Sequence, residues 1–278
     1  MVTGSCLCGA VRWRIDGPLT GMTHCHCSMC RKAHGAPFAT YAAVDPESVT
    51  FLAGSDQTGV FESSPGAVRS FCSRCGSVVP VDGDPEVPVG GLDGDPGARP
   101  EAHIFAAFQA PWHIIADGLP RHDIWGEEID GPVIDMPARA APEADVLHGS
   151  CLCNAIAYEA APRFTQVHNC HCSRCRKARA AAHTTNGFLD IGDLRFTRGE
   201  DHLRIWHLPG ARYFAQSFCA LCGSVMPRHD RGRMVAVIPF GSLDSDPGRQ
   251  ADDHVYVGSR ASWYDFADHL ARYDEMPP

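Results

Sequence analysis

The chain has 278 residues, 44% of them hydrophobic and 21% charged. That composition excludes a disordered polypeptide and, at roughly 100–200 residues per domain, accommodates two domains. A formal net charge of −9, from 24 basic and 33 acidic side chains, argues against nucleic acid as the main partner, because phosphate binding needs clustered positive charge. No apolar run approaches the ~18–20 residues needed to span a bilayer. The opening MVTGSCLCGAVRWRI lacks the basic and apolar regions of a signal peptide. The expectation is a cytoplasmic protein with neither a membrane nor a nucleic-acid partner.

In chain order, Ala10–Ile15 is the first strand candidate, followed by a short helix at Ser28–His34. Further strands are predicted at Val49–Leu52, Val68–Phe71, Ser77–Val81 and His103–Phe108. These segments alternate or are rich in β-branched and aromatic residues, with Gly, Pro and Asp between them. The stretch GPVIDMPARAAPEAD, residues 131–145, is rich in Pro and Ala and holds no cysteine; it reads as a semi-rigid linker. Beyond it come a helix at Ser173–Ala178 and strands at Leu194–Thr197, Leu203–His207, Arg212–Phe218 and Met234–Phe240. The predicted class is all-β with little helix.

The two stretches are copies of each other. GSCLCGAVRW at Gly4 recurs as GSCLCNAIAY at Gly149, HCHCSMCRKAHGAPF at His24 as NCHCSRCRKARAAAH at Asn169, and SFCSRCGSVVP at Ser70 as SFCALCGSVMP at Ser217. GGLDGDPG at Gly90 matches GSLDSDPG at Gly241, and APW at Ala110 matches ASW at Ala261. The offset grows from 145 to 147 to 151 residues, so the insertions belong in loops. The expected domains are 1–130 and 146–278, a tandem duplication that permits packing as a pseudo-twofold pair.

Each copy carries seven of the 14 cysteines, in the order CxC, CxCxxC, CxxC. In a reducing compartment such spacings read as metal ligands and not as disulfides. Seven thiolates divide as four plus three: four protein ligands close a structural zinc site, whereas three leave a position open. Spacing alone permits two partitions, one joining CxC to CxxC and the other joining CxCxxC to CxxC with CxC left spare.

GxCxCGxV, CHCxxCRK and FCxxCGS in this order, followed by an LDxDP segment and a late PW, resemble the glutathione-dependent formaldehyde-activating enzyme family. That family includes S-(hydroxymethyl)glutathione synthase and centromere protein V-like proteins. The resemblance covers nearly the whole chain, twice. It implies two tandem Mss4-like zinc-binding β domains and a carbon–sulfur lyase type of activity. It also implies the four-plus-three partition. Cys6, Cys8, Cys72 and Cys75, with Cys151, Cys153, Cys219 and Cys222 in the second copy, would hold structural zinc. Cys25, Cys27 and Cys30, with Cys170, Cys172 and Cys175, would hold open-site catalytic zinc, up to four Zn2+ in all. The partners are then a small thiol such as glutathione and an electrophile such as a small aldehyde, with room for self-association.

The copies diverge where a substrate pocket should lie. After CRK the first has AHGAPF, with Gly35 and Phe38, while the second has ARAAAH, with Ala180 and His183. Arg31, Lys32, Phe38 and His183 are the candidate substrate-binding residues. Asn154 replaces Gly9 and, as an asparagine, tolerates the positive φ of that turn. His26 and His171 lie between paired cysteines, where alternation sends them away from the sulfurs. Trp112 and Trp263 read as packing residues, and the loops Asp93–Pro96 and Asp244–Pro247 as turns. Two other functions stand beside the lyase: a non-catalytic zinc-stapled scaffold, and a zinc enzyme with a thiol-free substrate.

Overall fold

A computed structural model describes residues 1–126 and 145–277; apart from Asp145, the expected linker lies outside the described residues. Short β-strands dominate, with two α-helices, α1 (Ser28–His34) and α2 (Ser173–Arg179). In the first half Val2–Ser5, Arg12–Ile15 and Val49–Ala53 form an antiparallel sheet. A second sheet runs Ala102–Ile104, Thr20–Cys25, Ala39–Ala43, Glu86–Pro88, its first pair parallel and the others antiparallel. A third joins Thr58–Ser64, Ala67–Cys72 and Val78–Val79.

The second half repeats this plan with additions. Its central sheet has six strands because Arg228–Asp230 and Ala271–Tyr273 extend the edges of the four formed by Val235–Pro239, Thr184–Asp190, Gln166–Cys170 and Asp253–Val255. The strand Arg228–Asp230 leads into the four-residue insertion that distinguishes the second copy beyond the CxxC motif.

Differences from the predicted strands have local causes. Ser77–Val81 is a strand only at Val78–Val79, where pairing to Ser70–Phe71 ends. His103–Phe108 stops at Ile104, since Phe105 turns into the left-handed region at φ 54 and starts a single helical turn. Arg212–Phe218 begins at Ala215. Thr20–Cys25 (TGMTHC) and its counterpart Gln166–Cys170 (QVHNC) are buried central strands whose polar residues conceal them in sequence.

The two helices start alike. Cys27 and Cys172 are their N-caps, each sulfur accepting the backbone N–H of the cysteine three residues on, at 3.3 and 3.4 Å. Each helix ends on a left-handed residue: Gly35 at φ 58, which glycine adopts freely, and Ala180 at φ 45. Asn154 has φ 60, close to the φ 73 of Gly9, as expected from its tolerance of that conformation.

The two repeats exchange their tryptophan segments. Ala110 and Trp112 belong to the core built by Leu147, Tyr158, Leu189, Ile238 and Phe240 of the second half. Ala261 and Trp263 belong to the core built by Trp13, Ile15, Met22, Val87 and Leu92 of the first. Each half is therefore closed by a segment of the other. Paired contacts repeat across the same pseudo-twofold relation. Lys32 donates to Ser150 Oγ and pairs with Asp244, both at 2.6 Å, while Lys177 donates to Ser5 Oγ at 2.6 Å and pairs with Asp93. His34 Nδ1 donates to the Arg179 carbonyl at 2.7 Å, and Arg179 Nη1 to that of Gly35 at 2.8 Å. Phe71 and Phe218 meet edge to face at 6.3 Å.

Candidate metal centres and their cavities

All fourteen cysteines are free thiols and gather into four groups whose sulfurs lie within 4.8 Å of one another: Cys6–Cys8–Cys72–Cys75, Cys151–Cys153–Cys219–Cys222, Cys25–Cys27–Cys30 and Cys170–Cys172–Cys175. The structure thus takes the partition that joins CxC to CxxC. In the first tetrad Cys6 and Cys8 are 3.5 Å apart and Cys8 and Cys72 3.8 Å. The second has 3.4 and 3.8 Å. Disulfide sulfurs sit at about 2.05 Å. Four thiolates at about 2.3 Å from one tetrahedral zinc sit about 3.8 Å from each other, so the tetrads fit that ion.

The tetrads are tied to their surroundings by short bonds. Ser77 Oγ accepts the Leu7 N–H at 3.0 Å and lies 3.3 Å from Cys75 Sγ, linking the CxC loop to the CxxC loop. Ser224 does the same for Leu152 and Cys222 at 2.9 and 3.2 Å. The serine after each CxxC-Gly is therefore a bridge between the two ligand loops. Val11 N–H donates to Cys6 Sγ and Ile156 N–H to Cys151 Sγ, both at 3.2 Å. Crowding makes ionisation unequal: the hydrogen bond from Cys6 draws the Cys8 thiol down to about 7, and bonding to Cys6 pushes Cys72 up.

Each trio combines a strand end with a helix start. Cys25 closes the strand Thr20–Cys25, Cys27 caps α1 and Cys30 lies in its first turn; the second trio is placed identically on Gln166–Cys170 and α2. Hydrogen bonding from Cys25 and Cys27 holds Cys30 well below the ordinary thiol value, and Arg69 adds to this. Cys172 is held to about 3 by Cys170 and Cys175. The other two sulfurs of each trio, Cys25 with Cys27 and Cys170 with Cys175, are pushed up, so one thiolate per trio stands beside two thiols. Among the described residues no fourth protein ligand joins either group, which suits an ion that keeps one position free.

Both trios line cavities, of about 470 Å³ in the first half and 660 Å³ in the second. The first is walled by Tyr41, Arg69, Glu86, Phe105 and Trp125, and Cys222 of the second half borders it. Arg69 is fixed there, its Nε donating to Ser63 Oγ at 3.1 Å and its Nη2 to Cys30 Sγ at 3.6 Å. Tyr41 Oη lies 2.8 Å from His34 Nε2. Because His34 donates through Nδ1, its Nε2 is the acceptor and the Tyr41 hydroxyl the donor, which leaves the tyrosine oxygen's lone pairs free to accept from a bound group. Burial pushes Tyr41 above the ordinary phenol range, so it stays protonated.

Behind each trio runs a chain of three side chains, two buried histidines and a partly exposed aspartate. Asp117 accepts from His103 Nε2 at 2.9 Å, and His103 Nδ1 accepts from His26 Nε2 at 2.8 Å. Asp268, His254 and His171 repeat this at 2.9 and 2.8 Å. His26 and His171 are fully buried and point to the face opposite the sulfurs, as alternation predicts. They anchor the middle of each CxC turn, with His26 N–H bonded to Ile104 O and His171 N–H to Val255 O at 3.0 Å.

The four residues expected to bind substrate lie elsewhere. Lys32 is engaged with Ser150 and Asp244, and Arg31 is half-buried on the same helix. Phe38 is buried against His24, His26 and His183. His183 is 1% exposed, stacked on His171 at 4.9 Å, and neither ring nitrogen has a hydrogen-bond partner. None of the four lines either cavity. The acidic loops after each LD are turns with a further use, since Asp93 and Asp244 receive the lysines of the opposite half.

Sequence comparison defines the class. The profile of the family described as "Glutathione-dependent formaldehyde-activating enzyme" matches residues 1–107 and 146–259, and the chain belongs to that family as a tandem duplication. Among individual relatives, a Halomonas elongata protein provisionally named a glutathione-dependent formaldehyde-activating enzyme is 33% identical over 127 residues, 40% of this chain and 79% of that protein. An uncharacterised lyase of Schizosaccharomyces pombe is 30% identical over 76 residues, 27% of this chain and 53% of its own length. A Rhodobacter sphaeroides crystal structure is 26% identical and covers 34% of this chain and 86% of its own, with a TM-score of 0.29.

Proposed function

We propose that the chain is a zinc-dependent carbon–sulfur lyase that joins a small thiol of the glutathione kind to a small aldehyde and cleaves the adduct, working in the cytoplasm. The observation that carries this reading is the cysteine trio: three sulfurs gathered on a cavity wall in each half, apart from tetrads whose four sulfurs would saturate an ion of their own. A zinc ion held by Cys25, Cys27 and Cys30 would keep one position for an incoming thiol and lower that thiol's pKa.

The chain's own residues supply the rest. Arg69 stands at the wall as a fixed positive charge beside Cys30, balancing the excess negative charge of three thiolates. Tyr41, held by His34, offers an acceptor to a hydroxyl in the cavity, and Phe105 and Trp125 exclude water from its apolar side. In the forward direction the sulfur attacks the carbonyl carbon and the C=O π pair moves onto oxygen. That oxygen takes up a proton equivalent to the one the thiol gave up. The reverse reaction breaks the same carbon–sulfur bond and returns thiol and aldehyde.

The test is consumption of formaldehyde with glutathione by the full chain and by Cys27→Ser, with folding of both checked by circular dichroism. Loss of most first-half turnover in a folded variant is expected; unchanged turnover in Cys27→Ser, Cys172→Ser and the double variant would count against the reading.

A further inference from the structure

The cavities over the two trios are opposite in charge. In the first, the charged wall residues are Arg69, Asp84 and Glu86. In the second, the positions of Asp84 and Glu86 are taken by Val235 and Val237, Met29 and Val81 become Arg174 and Arg228, and the longer turn after Pro209-Gly210 adds Arg212. The correspondence follows the repeat offsets, and register fixes it structurally for Glu86 and Val237. Tyr41 pairs with Pro88 and Ala43 with Glu86 in the first half, just as Asn186 pairs with Pro239 and Phe188 with Val237 in the second. The inserted hairpin then adds Arg233 to the same wall.

Three of these guanidiniums converge on one residue. Arg212 and Arg233 stack on the Tyr213 ring at 4.8 and 5.1 Å, and Arg228 Nη2 donates to the Tyr213 carbonyl at 3.3 Å. Stacking fixes the planes of the two outer cations, so little side-chain freedom is lost when they close on a ligand. Asp230, off the wall, pairs with Arg233 at 2.8 Å, and Glu275 is the carboxylate on the wall among the described residues. Arg228, deeper in the cavity, has that weak carbonyl bond as its hydrogen bond. Burial lowers it to about 10, opposed by Asp230 and helped by Arg233 and Arg179. A half-buried cation with one weak carbonyl bond is stabilised when an anion supplies further acceptors.

We propose that the cavity over Cys170, Cys172 and Cys175 is a binding site for a compact dianion, a phosphate or a paired-carboxylate end group, held by Arg212, Arg228 and Arg233 around Tyr213. The two repeats then serve different ligands: the first cavity, with Asp84 and Glu86 on its wall, disfavours the charge that the second one selects. The site stands on its geometry and does not depend on thiol chemistry at the trio, so binding is read without turnover.

The experiment titrates the metal-loaded full chain with inorganic phosphate, malonate and acetate at constant ionic strength, by isothermal titration calorimetry. At least one of the two dianions is expected to bind ten times more tightly than acetate or better. Arg228→Val, which installs the first repeat's residue, should weaken it on the order of tenfold, the loss of one charge-assisted pair. The exposed Arg212→Ala, which carries little folding risk, should weaken it severalfold. Preference for phosphate assigns a phosphoryl group and preference for malonate a dicarboxylate. Equal affinity for all three anions, or dianion binding untouched in both variants, would overturn the proposal.

Discussion

Trp112 of the first repeat meets Phe240 of the second edge to face at 5.4 Å, deep inside the second repeat's core. Trp263 fills the equivalent place in the first repeat, near His24 at 6.4 Å. Neither core is complete without the other repeat's tryptophan, so folding of the halves is coupled. Trp112→Ala should cost about 3–5 kcal/mol, the usual range for emptying a buried aromatic site. The cost should appear as one shifted urea transition for the whole chain. Two separate transitions, with only one displaced, would show that the repeats fold independently.

The crossed lysines add to this coupling. Lys32 is well covered, at 14% side-chain exposure, but its partner Asp244 is 41% exposed, so solvent screens the pair. A double-mutant cycle with Lys32→Met and Asp244→Asn should return a coupling of about 1 kcal/mol that shrinks in high salt. A coupling near zero would assign the contact to packing alone.

Acid should weaken the interface. Burial lowers His113 from its ordinary value of 6.5 to about 4 and lowers His183 well below that ordinary value. Both are therefore neutral when folded, while the unfolded chain takes up their protons below about pH 6.5. Stability is full above pH 6.5 and falls as pH drops from 6.5 towards 4. His183→Phe, which installs the residue of Phe38 in the other copy, removes two buried ring nitrogens that have no partner. It should stabilise the protein at pH 7 by about 1–3 kcal/mol and flatten the acid loss, both read from denaturation midpoints at pH 7 and pH 5.

Tetrad and trio cysteines should respond differently to substitution. Cys75→Ser opens a site that pins two loops together, and the chain should lose its cooperative thermal transition. Cys27→Ser removes one trio sulfur, and its hydroxyl can still cap α1. Its midpoint should therefore move by no more than the ~1 kcal/mol typical of a cap. Equal collapse of both variants would place the trio among the structural staples.

The duplication, the β class and both helices were legible because cysteine spacing, Gly-Pro punctuation and the CxxC cap are local signals. The sulfur partition was open on spacing, and the resemblance to the family pointed to the pairing the structure adopts. The walls of the cavities were not legible. Arg69, Tyr41 and Glu86 lie on three different strands; pairing brings the last two into one sheet, and Arg69 arrives from another. Lys32 read as a substrate contact, because nothing in one repeat shows that the other supplies its carboxylate. His103 and His254 were equally hidden, since each meets its histidine partner across a parallel strand pair some eighty residues distant.

The central claim is that each half locks one metal ion away and leaves another reachable. Zinc content and exchange in the purified full chain test it most directly: metal analysis gives the number per chain, and a chelator chase with and without glutathione gives the rates. Four zinc ions, two inert and two whose exchange changes when glutathione is present, is the predicted result. Two ions, or four equally inert ones, would contradict it.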